Sequence, residues 1–201
     1  STYGNRLHEK GDSLKMLKDI VLKTIQRKGV LIIPAFAVGR TQMILYYLWL
    51  ISKEMPQVPI YLDSPMAINV TDLYCDFSQE HKLSADGCTT AFGVAKYITS
   101  SQESQELSKS DQPAIIIAGS GMANGGRVLE HFKYFISDAK NTVLFVGFQA
   151  KGTLGRKLIE GLSTIDIDGK KYPVRAEITS METFSAHADY NPPSQWLAAP
   201  P

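Results

Sequence analysis

Cysteine is almost missing from this chain. Cys75 and Cys88 are the only two in 201 residues, and they form no C-x-x-C pattern. Such usage excludes the disulfide framework that staples small secreted domains, and the pair reads as reduced thiols of a cytoplasmic protein. Long apolar runs are lacking as well. The most apolar stretch, MILYYLWLI at residues 43–51, is about half the length that a helix needs to cross a bilayer, so no membrane partner is expected. Neither charge is in excess: 21 Lys and Arg stand against 20 Asp and Glu, a formal net charge of +1. A broadly basic surface is thereby excluded, and any polyanion has to be met by a local cleft. The four histidines, His8, His81, His131 and His187, contain neither H-x-H nor H-x-x-x-H. Spacing therefore marks no zinc site, and His81 and His131 read as surface or helix-packing residues. No leader is visible, and a start on STYG without methionine points to a piece of something longer.

What is present is a core. Apolar residues make up 44% of the chain, enough to fill one well-packed domain. Four short runs rich in β-branched residues do not alternate with polar ones: VLIIPAF (30–36), PIYLD (59–63), AIIIAG (114–119) and TVLFVGF (142–148). They predict parallel strands covered on both faces. Between them lie helical stripes, one of Leu14, Leu17, Ile20, Val21 and Ile25 behind the potential cap Ser13, another of Val128, Phe132 and Phe135. The helix predicted from about Thr41 to Lys53 is apolar nearly all round, which predicts burial on more than one side. SSQESQELSKSDQ, residues 100–112, is polar and fits a short surface helix or a loop. The alternating order predicts an α/β fold, a parallel sheet flanked by helices. From about residue 164, STIDIDGKKYPVRAEI alternates about Asp168-Gly169, which predicts an antiparallel hairpin.

In an open parallel sheet each strand hands its following loop to the same carboxyl edge, where such folds place ligands. The four loops there are AVGRT, DSPMA, GSGMANGGR and QAKGTLGR, and three of them carry Gly-Arg. Arginines beside glycine-rich turns at helix N-termini combine a charged fork with exposed N–H donors, a pairing suited to phosphate. The candidate phosphate or RNA ligands are Arg40 in the first loop, and Ser120, Gly121, Gly125, Gly126 and Arg127 in the third. Lys151, Gly152, Thr153 and Arg156 join them from the fourth. The alternative is that Arg40, Arg127 and Arg156 cap or pair with residues such as Asp63, while the glycines only turn the chain. GSGMANGG is a poor dinucleotide fingerprint, since it follows the third strand and its spacing is one residue too long. His187, in TFSAHADY, has small neighbours and Asp189 close by. It could donate a proton, and a satisfied histidine near a helix start fits equally.

Taken together and in order, STYGNRLHE, PAFAVGRTQ, LDSPMA, AGSGMANGGRVLEHF, VGFQAKGTLGR and FSAHADY resemble the β-CASP branch of metallo-β-lactamase-fold nucleases. The likeness is nearest to the RNA-processing members, the cleavage-and-polyadenylation endonuclease and ribonuclease J. It implies that residues 5–165 form a β-CASP domain inserted into a metallo-β-lactamase domain. Residues 166–201, hairpin included, would return into that second domain, and residues 1–4 would end its preceding segment. The resemblance further implies single-stranded RNA as partner and two zinc ions as cofactors. It also implies phosphodiester hydrolysis, with His187 as general acid. The zinc-binding H-x-H-x-D-H motif is not in this sequence, so no metal ligand is assigned within the chain. The missing metallo-β-lactamase domain is the second expected partner, and the chain by itself is expected to cleave nothing. The other reading is a non-catalytic RNA-binding or protein-docking module of a metal-free homologue.

Overall fold

The computed structural model describes residues 13–81 and 83–181. The apolar stripe of the first segment forms α1 (Ser13–Gln26), and the four apolar runs become β1 (Val30–Pro34), β2 (Ile60–Asp63), β4 (Ala114–Ala118) and β5 (Thr142–Val146). Between β1 and β2 lies α2 (Arg40–Ser52), followed after β2 by α3 (Pro65–Asp76) and α4 (Ala85–Phe92). A two-residue strand, β3 (Lys96–Tyr97), and α5 (Ser101–Ser108) precede β4. Then come α6 (Arg127–Phe135) ahead of β5, α7 (Leu154–Ile159), and the strands β6 (Thr164–Ile167), β7 (Lys170–Pro173) and β8 (Glu177–Met181). Six strands make one sheet in the order β3-β2-β4-β1-β5-β8, with every neighbouring pair parallel. The architecture is the α/β one that the sequence predicts.

The strands lack alternation because both faces of the sheet are covered. Leu31, Ile33, Ile115, Ile117, Leu144 and Val146 point to one side, where α1, α2, α3 and α4 pack. Val30, Ile32, Ile116, Val143 and Phe145 point to the other, under α6, α7 and the hairpin. Helix α2 buries Ile44, Leu45, Leu48 and Ile51. Its outer side departs from the expectation of burial nearly all round: Leu50 is exposed, and Tyr46, Tyr47 and Trp49 are half-buried. Those aromatics shield one another, with Tyr46 edge-on to Tyr47 at 5.9 Å and tilted against Trp49 at 5.7 Å. The polar segment after β3 is a helix, α5. Ser100 accepts from the Glu103 amide at 3.1 Å, and the Glu103 carboxylate accepts from the Ser100 amide at 3.0 Å, a reciprocal cap.

The hairpin forms where it is expected, β6 pairing antiparallel with β7. Its turn holds Asp168 at φ 54° and Gly169 at φ 76°, the two left-handed residues that a tight two-residue turn requires. Packing runs across the expected domain boundary at residue 165. Ile165, Ile167 and Ala176 lie in the same apolar cluster as β4 and β5, and β8 continues the parallel sheet. Among the described residues, no helix is long and apolar enough to cross a membrane.

At the amino edge of the sheet, Asn141 is a polar pin with 1% exposure. Its Oδ1 accepts from the Val30 amide at 2.8 Å, and its Nδ2 donates to the Phe135 carbonyl at 2.8 Å. Its own carbonyl accepts from the Glu177 amide at 3.0 Å. The residue thereby ties β1, β5, β8 and the end of α6 together. Asn141→Ala is expected to lower stability by about 2–4 kcal/mol, because two buried backbone groups lose their partners. A urea midpoint shifted by less than 0.5 kcal/mol equivalent would contradict that role.

Candidate nucleic-acid interface

Strand order dictates where a crevice opens. From β2 the chain turns toward β3 at the sheet's edge, whereas from the adjacent β4 it crosses the other way, over β1, toward β5. Connections that diverge above two neighbouring strands leave a cleft at their carboxyl ends, the usual ligand position in open parallel sheets. A cavity of about 350 Å³ lies there. Its walls come from the loops after β1, β2 and β4, including Phe36, Ser64, Gly119, Ser120 and Gly121.

Each loop has a local reason for its shape. The loop after β4 folds back on itself, the Ser120 amide donating to Gly125 O at 3.2 Å and the Val128 amide to Gly119 O at 2.8 Å. Gly126 has φ 76°, and a Cβ there would lie 2.7 Å from Gly119 O, so the turn tolerates no side chain. Among the described residues the Gly121, Gly125 and Gly126 amides donate to no protein acceptor. After β5, Thr153 caps α7 by accepting from the Arg156 amide at 3.2 Å. The two loops are joined: Gln149 Nε2 donates to Gly121 O at 3.1 Å, and the Leu154 amide donates to Asn124 Oδ1 at 2.8 Å. From the loop after β1, Arg40 lies against Gly147 of the β5 loop, where a Cβ would come 2.9 Å from its Nη2. Ser64 caps α3, accepting from the Ala67 amide at 3.4 Å.

Beneath the cleft sits Asp63, the last residue of β2, with no solvent exposure. Ser104 Oγ donates to its Oδ2 at 2.5 Å and His131 Nε2 donates to the same oxygen at 2.8 Å, while Arg127 Nη1 donates to Oδ1. His131 Nδ1 lies 2.9 Å from Ser108 Oγ. Burial pushes the Asp63 carboxyl up, but the hydrogen bonds from His131, Ser104 and Arg127 together outweigh it and hold the pKa below the ordinary carboxylate value. Arg127 also donates to the backbone carbonyls of Ile98 at 3.2 Å and Thr99 at 3.4 Å. Its guanidinium therefore faces inward, and the alternative raised from the sequence, pairing with Asp63, describes it.

The other candidates are distributed as follows. Gly121 and Thr153 are buried, Ser120 and Gly125 half-buried, and Gly126, Lys151 and Gly152 exposed; of these, Ser120, Gly121 and Gly126 line the cavity. Arg40 is buried, and Arg156 is exposed and bonded to Glu160 at 2.7 Å. The edge thus gathers the loops and their amides, with Lys151 as an exposed cation. His187, Asp189, and His8 with the STYG segment lie outside the described residues. His131 is the member that sequence reading missed, since it is neither on the surface nor merely packed. The available signal was its place four residues after Arg127, on one helical face. Among the described residues, no three His, Cys, Asp or Glu side chains are placed to hold a metal ion.

The chain is similar in sequence to known proteins over most of its length. A family model described as the Beta-Casp domain matches residues 41–158. The chain is 36% identical over 208 residues to ribonuclease TTHA0252 of Thermus thermophilus, with 100% of the chain and 48% of that protein aligned. It is 36% identical over 191 residues to the transcription termination factor FttA of Methanosarcina mazei, covering 89% of the chain and 30% of that protein. Identity is 35% over 200 residues to an RNase J-like protein of Methanocaldococcus jannaschii, 95% of the chain and 46% of that protein. The chain spans half or less of the length of these relatives.

Asp63→Asn is expected to destabilise the protein by about 3–5 kcal/mol at pH 7, since it leaves buried partners without their counter-charge. The folded-state pKa is depressed, so the carboxylate stabilises the fold fully above its unfolded value of about 3.9 and loses that contribution as pH falls through the lower folded value. The gap between wild type and variant should therefore narrow in acid. Denaturation curves at pH 7 and pH 3 with an unchanged gap would refute the assignment.

Proposed function

The chain belongs to the β-CASP family, and from that premise we propose that it is the nucleic-acid-gripping part of a zinc-dependent RNA-processing nuclease. The observation that carries this reading is the convergence of glycine-rich loops, with the N-termini of α2, α3 and α6, on one crevice at the sheet's carboxyl edge. Helix N-termini and free amides attract phosphate without a basic surface, which suits a chain of net charge +1. The amides of Gly121, Gly125 and Gly126, with Ser120, Gly152 and Lys151, would hold flanking phosphates. Arg127 fixes the loop from beneath through Asp63, and Arg40 does so through its packing on Gly147. Relatives named ribonuclease and RNase J-like protein support RNA as the substrate class.

The described residues do not form a zinc site, and the Asp63–His131 pair is bonded to Ser104, Ser108 and Arg127. We therefore assign the two zinc ions to a metallo-β-lactamase domain of a longer protein, to which the segment after Met181 would lead, and derive no step of the reaction through them. His187 would act there as general acid on the leaving oxygen. The chain alone is expected to bind RNA weakly and leave it intact.

Binding of single-stranded RNA by this chain should weaken steeply with salt, and Lys151→Ala should reduce the slope of log affinity against log salt by about 0.7. In the longer protein, His187→Ala should lower the rate of hydrolysis by about 10²–10⁴-fold while RNA affinity holds. RNA binding that is absent, or indifferent to salt, would overturn the reading; cleavage by the isolated chain would overturn the placement of the metals.

A further inference from the structure

The crevice holds a feature that phosphate does not need. Phe36 and Met66, 45% and 68% exposed, stand on its wall beside Pro65 and Ala37. Large apolar side chains held at a cleft in contact with water call for an occupant. Phe36 is also held in place. Its carbonyl accepts from the Thr41 amide at 3.3 Å and from Thr41 Oγ1 at 2.8 Å. Gly121 lies against the ring, where a Cβ would come 2.7 Å from Phe36 Cδ2 and 2.9 Å from Cε2. Only glycine at that position lets the ring rest on the backbone of the β4 loop, the same loop whose amides are open.

An aromatic wall touching an amide-lined anion site has the two-part chemistry of a nucleotide, an apolar planar base joined to a phosphate. A protein partner would answer the apolar wall but not the adjoining free N–H groups. Resting on the nucleic-acid reading above, we propose that the Phe36–Met66 slot is a nucleobase subsite that takes one unpaired base of single-stranded RNA by stacking on Phe36. Most polar side chains around the slot are already engaged, Asp63 and Arg127 with each other and Ser64 as the cap of α3, while Ser120 Oγ has no partner among the described residues. Few groups are left to read a base edge, so the subsite is tolerant of sequence, as stacking platforms are. With a volume of about 350 Å³ it falls at the small end of ligand sites, about 300–1,000 Å³, enough for one base rather than several.

The test uses this chain with three probes of equal length: an RNA oligomer carrying 2-aminopurine, its unmodified counterpart, and an abasic ribose-phosphate oligomer. Wild type should quench 2-aminopurine on binding. Phe36→Ala should abolish the quenching and weaken RNA binding on the order of 10–100-fold, leave abasic binding unchanged, and melt close to wild type because the ring is partly exposed. Phe36→Trp should restore both signals, and Met66→Ala, which leaves the packing on Gly121 intact, should weaken RNA binding several-fold. If wild type binds the abasic oligomer and Phe36→Ala binds RNA as wild type does, the subsite is overturned while the phosphate reading stands. If wild type binds neither oligomer, both are overturned. Loss of self-association in Phe36→Ala with RNA binding intact would assign the slot to protein docking and overturn the subsite.

Discussion

A carboxylate sealed from water at the end of β2 is the constraint on which the edge of this fold depends. Asp63 is ionised in the folded state only because donors from α5 and α6 converge on it. Ser104 brings α5 down onto the sheet, and Arg127 and His131, one turn apart on α6, bring that helix to the same point. Because Arg127 opens α6, its pairing sets where the glycine-rich loop ends and where the helix's N-terminal amides face. A buried charge with several engaged donors tolerates no partial removal, since each lost partner leaves another uncompensated.

On the proposed function, that arrangement is how a chain with almost no net charge would present an anion-binding edge. The arginines that the sequence advertises beside its glycines serve mainly beneath the surface, Arg127 on Asp63 and Arg40 against Gly147. Direction for an incoming phosphate would come from backbone dipoles, which are fixed by the fold and cannot swing away as a lysine can. The loops after β4 and β5 are cross-linked through Gln149 and Asn124, so the amides are held in place before any ligand arrives.

The strands were legible because burial on both faces writes itself as unbroken apolar runs, and VLIIP, AIIIA and TVLFV allow no other thrifty reading. The hairpin was legible from Asp168-Gly169, where two consecutive left-handed residues need that chemistry. Less could be read where long-range packing decides. SSQESQELSKSDQ looks like solvent-facing sequence, yet Ser104 and Ser108 are buried, because their partners Asp63 and His131 come from elsewhere in the chain. His131 and Asp63 are 68 residues apart, and no local pattern announces that meeting. Strand β3 is two residues long, too short to carry any period, and the start of β8 fell within the alternating stretch read as the hairpin, whereas it pairs parallel with β5. The inward turn of Arg127 was open as one of two alternatives; the geometry of Asp63 decided it.

The double coverage of the sheet has a consequence for how it finds its alignment. In β1, β4 and β5 every residue is buried, so a strand displaced by one position would swap its two faces without exposing anything apolar. Hydrophobicity alone is nearly blind to such slippage. The sliding is arrested by the few hydrophilic anchors at the strand ends: Asn141 under the first residue of β1, the Thr24–Thr142 hydroxyl pair joining α1 to β5, and Asp63 above β2. These residues act as the index marks of an otherwise featureless ruler, and the choice of one alignment over its neighbours rests with them.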